Sequence, residues 1–215
     1  MNILKKDEYN KDIILDPTQS HQIMMEWEKS YMEECIQKLQ PFGDVLEIGF
    51  GLGYSATEIQ KFPIKSYTVI ECDESTYRRA LKWKEKYNHP INVVFGRWED
   101  MYKTLPKFDC LFFDDYDINN IKLYKNSSSV RCRNINFIET IKNNLKEYVK
   151  FSFYCAINSE DILEYKDQWS LVLKNFHKKI DFKEYKTSVP ENCKYIAEET
   201  LYCSLIEMKK TFNYY

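Results

Sequence analysis

Residues 45–55, VLEIGFGLGYS, place three glycines in five positions directly behind an apolar run. The run reads as a short buried strand, the glycines as a tight turn, and residues 54–61 as the helix that follows. This unit constrains the fold more than any other feature, because strand, glycine turn and helix in succession belong to parallel α/β sheets that bind ligands at strand ends. The glycines fall at Gly49, Gly51 and Gly53. A dinucleotide fingerprint would put its third glycine where Tyr54 stands, and a phosphate loop would end in Gly-Lys-Ser/Thr. Neither pattern is present, so phosphates are not the expected ligand.

The alternation continues along the chain. SYTVIEC, INVVFG, FDCLFFDD and VKFSFYCAI read as strands, with helices over 74–87 and 136–145. Continuous apolar strands interleaved with helices indicate a mostly parallel sheet covered on both faces. DFKEYKTSV and KYIAEETLYCSLIEM lie close together and predict an antiparallel hairpin that completes a seven-stranded sheet. Near the start, Ile23, Trp27, Tyr31, Cys35 and Leu39 recur every fourth residue, predicting a helix over 18–39 and a helical lid over 1–40. Residues 116–133 form the most loop-like segment. They follow a strand whose carboxyl end should face the ligand, so they are either a substrate loop or an idle surface excursion.

Composition narrows the classes. The 215 residues suit one well-buried domain, and 31 Lys and Arg against 33 Asp and Glu leave a net charge of -2. No positive field draws the chain to nucleic acid or anionic lipid, so a small or cationic partner is expected. Seven scattered cysteines without a CxxC pair argue against zinc and disulfide scaffolds and fit a reducing cytoplasm. The first residues lack the apolar core of a signal peptide, and no stretch is long enough to span a bilayer. His21, His89 and His177 show no metal spacing, so no metal is assigned.

Three further observations concern the strand ends. Glu47 precedes the glycines; Glu71 lies 22 residues beyond Gly49 at the end of the second strand; and GRWED, residues 96–100, follows the third. A carboxylate at Glu71 can accept both hydroxyls of a ribose. It could also be an ordinary surface acid, and Trp98 could simply plug the sheet edge. Taken in order, these features resemble the Rossmann-like class I S-adenosylmethionine-dependent methyltransferases.

IMMEWEKSYM (23–32), RWEDMYKTLP (97–106) and FFDDYD (112–117) are similar to the guanidinoacetate N-methyltransferase family, related to the arginine delta-N-methyltransferases. The similarity runs over residues 22–207 and includes NINFIE and VPENCKY. It implies transfer of a methyl from S-adenosylmethionine to a guanidino nitrogen of a small molecule; a monomer and a homodimer are both left open. It places Met25 and Met32 near the sulfonium, Glu47, Gly49, Gly51 and Gly53 around the methionine part, Glu71 on the ribose, and Trp98 with Glu99 near the adenine. It assigns Glu28 and Asp114 to the guanidinium, with Asp114 as base. The chemistry agrees, since a guanidinium is a planar cation best held by carboxylates that accept paired hydrogen bonds. Trp27 is assigned to the core.

The chain also departs from that family. Asp115, Tyr116 and Asp117 stand where Thr-Tyr-Pro usually follows Asp114. Either the extra acids face the substrate and favour a more cationic guanidine such as arginine or agmatine, or they turn to solvent or to Arg131 or Arg133. CAINSE, residues 155–160, sits where backbone donors meet the substrate, with Ile157 and Asn158 as candidates, but Ala156 replaces an asparagine. Two other readings stay open: methylation of arginine in a protein, and a catalytically inactive Rossmann-like binding module.

Overall fold

The computed structural model describes residues 1–115, 128–196 and 200–210, with side chains given for all of these except 128–132 and 143. Three short strands come first, β1 (Ile3–Lys6), β2 (Asp12–Leu15) and β3 (Gln22–Met25), paired antiparallel in the order β1-β2-β3. A 3-10 turn at Glu26–Glu28 leads into α1 (Lys29–Leu39). There follow β4 (Gly43–Ile48), α2 (Tyr54–Ile59), β5 (Ile64–Glu71), α3 (Glu74–Lys84), β6 (Ile91–Phe95), α4 (Trp98–Met101) and β7 (Phe108–Phe113). The chain then forms α5 (Ser128–Ile141), β8 (Leu145–Phe153), β9 (Ala156–Ile157), α6 (Ile162–Val172), β10 (Phe176–Tyr185) and β11 (Thr200–Lys210).

The large sheet runs β10-β11-β8-β7-β4-β5-β6, and β9 pairs with β11. Strands β6, β5, β4, β7 and β8 are parallel, whereas β11 is antiparallel to both β8 and β10. The expected Rossmann-like sheet and its C-terminal hairpin are therefore present. Alternation along β7 splits the core between two faces. Cys110 and Phe112 pack with Tyr31, Ile36 and Tyr67, while Leu111 and Phe113 pack with Phe137, Phe151 and Trp169. The chain moves outward from β4 through β5 and β6, then returns to the other side of β4 with β7. Strand order thus reverses between β4 and β7, and a crevice opens at their carboxyl ends.

The N-terminal expectation needs correction. Residues 1–40 are not a helical lid: a three-stranded meander precedes the helix, which starts at Lys29 rather than near Thr18. The fourfold spacing from Ile23 coincides with a strand because the Asp16 carboxylate accepts the Thr18 and His21 N–H groups at 3.2 and 2.7 Å and turns the chain back. Gln22–Met25 then pairs with β2, setting Ile13 opposite Met25 and Ile14 opposite Met24. The anticipated loop over 116–133 also ends early, since α5 begins at Ser128. Helix α6 has no counterpart in the sequence-based reading. No helix among the described residues is long and apolar enough to cross a membrane.

Candidate active site

Close backbone packing builds the crevice. Gly49 has φ +84°, and a Cβ there would collide with the carbonyl oxygen of Asp114, so the ends of β4 and β7 meet only because residue 49 lacks a side chain. The Gly49 N–H donates to Ile70 at 2.9 Å and the Asp114 N–H to Ile48 at 2.9 Å, which ties the ends of three strands together. Gly51 clears room for Met24, whose sulfur lies 3.1 Å from the Leu52 nitrogen. The result is a cavity of about 370 Å³ walled by the strand ends and roofed by the meander through Ile14, Asp16, Ile23 and Met24.

The cavity brings together Gly49, Gly51, Glu71, Trp98, Glu99, Asp114 and Asp115. Glu71 accepts the Phe50 N–H at 2.9 Å on one oxygen and the Asp73 N–H at 2.8 Å on the other. Burial still raises its carboxyl above the ordinary range. The Gly51 backbone also favours its ionised form, and of about four lone-pair positions these three backbone groups leave acceptor capacity for a hydroxyl. Trp98 packs edge-on against Phe113 and Phe137, and its Nε1 donates to Asp115 at 2.8 Å. Arg133, from α5, donates to Asp115 and also to Glu99 at 2.9 Å. Asp115 is thus held against Arg133, one of the two alternatives that the sequence left open.

Other candidates lie elsewhere. Met25 and Met32 are 1% and 0% exposed and do not line the cavity; along β3 the neighbouring Met24 takes that place. Strand alternation explains the exchange, as Met25 turns toward Ile13 and Leu15. Glu47 is fully buried behind the glycine turn, accepting hydroxyl protons from Ser55 and Tyr67, and burial pushes it up to about 8. Gly53 opens α2 at φ +77° without lining the cavity. Ile157 is buried where β9 pairs with β11, and Asn158 is exposed. Tyr116 and Asp117 lie outside the described residues.

Glu28 and Asp114 are electrostatically linked. Glu28 is 3% exposed at the end of the 3-10 turn and, unlike Asp114, does not line the cavity; burial, then the charge of Asp114, push its carboxyl up to about 8. Burial, followed by the charges of Asp115 and Glu71, pushes Asp114 up to about 7. No lysine or arginine among the described residues pairs with either carboxylate. Sequence reasoning missed Met24, Asn2 and Arg97 in the cavity wall. The one available signal was the Met-Met doublet, which puts one methionine on each face of a strand.

Fold comparison defines the class. TYW2 of M. jannaschii in complex with AdoMet is similar with a TM-score of 0.61 and 12% identity, over 98% of this chain and 87% of that one. Spermidine synthase from Thermotoga maritima gives 0.60 and 18% over 97% and 72%. At these identities the likeness is one of fold, the Rossmann-like methyltransferase fold.

The profile of the family "Guanidinoacetate N-methyltransferase" matches residues 6–209, and the chain belongs to that family of S-adenosylmethionine-dependent N-methyltransferases. A "Protein arginine N-methyltransferase 2" from Candida glabrata is 28% identical over 116 residues, which make up 51% of this chain and 28% of that protein. The chain therefore spans little more than a quarter of that relative.

Proposed function

We propose that this chain methylates a guanidino nitrogen of a small molecule, with S-adenosylmethionine as methyl donor. The observation that carries the reading is the pair Glu28 and Asp114, two buried carboxyl groups whose ionisation is disfavoured, Glu28 in part by the charge of Asp114, with no lysine or arginine partner among the described residues. Such a pair is unfavourable until a cation arrives, and a guanidinium supplies both the charge and a fork of N–H donors.

The cavity wall fits the donor. Glu71 would hold the ribose hydroxyls, Trp98 and Glu99 would flank the adenine, and the turn at Gly49 and Gly51 would pass beneath the methionine part. When bound, S-adenosylmethionine supplies an activated methyl group. The chain's own task is to make the acceptor nucleophilic. A guanidinium lone pair is delocalised and its pKa exceeds about 12, so the proton cannot leave beforehand. Asp114 would accept it from the reacting N–H as the new N–C bond forms and the donor's C–S bond breaks, the pair staying on sulfur, while Glu28 would hold the opposite side of the fork and fix its orientation. Arg133 neutralises Asp115 and keeps that charge from competing for the substrate.

Mass spectrometry with S-adenosylmethionine and guanidinoacetate, arginine, agmatine and an arginine-rich peptide tests the proposal. One methyl gained by a small guanidine is the expected result. Product on the peptide alone would favour methylation of arginine in a protein, as the name of the Candida relative describes. Cofactor binding with no guanidine methylated would reject the reading.

A further inference from the structure

Resting on that function, we propose that Tyr195 is a positioning residue that fixes one oxygen of Glu28 so that the other is presented to the substrate guanidinium. Tyr195 donates its phenolic hydrogen to Glu28 Oε1, and the same oxygen accepts the Met25 N–H at 2.9 Å. Both donors therefore converge on Oε1, and Oε2 has no hydrogen-bond partner among the described residues. A carboxylate held by one oxygen in this way cannot turn freely, and its second oxygen is left for an incoming N–H.

Tyr195 is itself held. Its ring stacks on Trp27 at 6.4 Å and 26°, beside the residue it orients. The backbone on either side of Cys193 is clamped by Gln22, whose amide donates to the Asn192 carbonyl at 2.7 Å and accepts the Lys194 N–H at 2.6 Å. Asn192 reaches Asp7 at 3.0 Å. Residues 190–195 thus form a strap across the meander and carry a hydroxyl to a carboxylate 167 positions earlier in the chain. Burial and the Glu28 charge raise the Tyr195 phenol, so it remains a donor throughout the working pH range. The other titratable groups that act on Glu28 or feel it are Asp114 at the end of β7 and Tyr54 at the start of α2. Of the three, Tyr195 alone donates a hydrogen bond to it.

Tyr195→Phe keeps the ring and removes the donor. In the full chain, carbon-13 titration of Glu28 should show its midpoint moving to higher pH in this variant, because the ionised form has lost a hydrogen bond. KM for the methylated guanidine should rise about tenfold or more, the scale of a hydrogen bond to a charged group. The acid limb of kcat/KM should move to higher pH with it, while S-adenosylmethionine affinity and the thermal midpoint stay near those of the parent. In a Glu28→Gln background the same substitution should change guanidine binding far less, since the two act through one contact. An unmoved Glu28 titration overturns the proposal whether or not any guanidine is methylated. Equal losses of cofactor affinity and thermal stability would also overturn it, by showing that the phenol serves the fold. If the wild-type chain methylates no guanidine but the Glu28 titration moves, the functional reading fails and the positioning contact stands.

Discussion

The two ends of β4 and β7 handle acidic residues in opposite ways. At the amino ends, Asp44 and Asp109 share the Lys146 ammonium at 2.6 Å each, and Asp44 also accepts from Ser66 at 2.7 Å. Lys146 holds Asp44 below its ordinary carboxylate range. At the carboxyl ends, Glu47 on β4 and Asp114 just past β7 are raised, as is Glu71 at the end of the neighbouring β5, burial being the first cause in each. The sheet therefore carries acids paired with a lysine at one edge and, at the other, acids held by hydroxyl or backbone donors or, as with Asp114, by no lysine or arginine among the described residues. A buried carboxyl group that lines a cavity and has no cationic partner, as Asp114 does, marks where the molecule expects something from outside.

The largest effect expected from breaking this contrast is at Asp114. Asp114→Asn preserves shape and polarity but removes the base, so turnover should fall by about two orders of magnitude or more, the range of general-base contributions. Calorimetry should find S-adenosylmethionine affinity little changed. Turnover within a few-fold of the parent would remove Asp114 from the mechanism.

Next in size is Glu71→Gln. The amide keeps an acceptor for the backbone but loses the charge that strengthens bonds to a ribose diol, so S-adenosylmethionine affinity should weaken by roughly 10- to 100-fold. If instead guanidine affinity falls and cofactor affinity holds, the two subsites have been exchanged.

How much of this contrast was legible in the sequence depends on the range of the interaction. The glycine turn and the apolar strands could be read because strand, turn and helix are local, and the binding edge follows from topology; Glu71 sits at a strand end by its spacing, while the family resemblance points to Asp114. The meander was not legible, since Ile23, Trp27 and Tyr31 mimic a helical stripe while hydrogen bonds around Asp16 dictate a turn. The family resemblance points to Met25, whereas strand alternation turns the neighbouring Met24 into the cavity. Tyr195 and Lys146 could not be assigned either: each acts across a fold-scale contact, such as the 102 positions between Lys146 and Asp44.

A smaller effect belongs to the compensated edge. Lys146→Met should leave turnover unchanged and lower stability by about 1 kcal/mol, a modest figure because the lysine is partly exposed and screened. Asp44 has a depressed folded-state pKa, so its contribution is present above the unfolded carboxylate value and is lost as pH falls through the folded one. Urea titrations should therefore show parent and variant converging in acid. A stability loss that persisted at low pH would mean that Lys146 acts through packing rather than charge.

The finest test concerns protons. Asp114 at about 7 and Glu28 at about 8 hold protons in the free protein near neutrality, whereas an adjacent guanidinium favours their ionised forms. Guanidine binding near pH 7 should release protons, up to about one and a half, seen by calorimetry as a binding heat that varies with the ionisation enthalpy of the buffer. The same sign governs stability. Both groups have folded-state values above their unfolded ones, so the ligand-free chain should be more stable below the ordinary carboxylate range and lose that increment as pH rises toward 8. The cation reverses the penalty by making the charged state the favoured one. Binding that took up protons, or was independent of buffer, would mean that the carboxylates are already ionised in the free protein and that this edge is compensated after all.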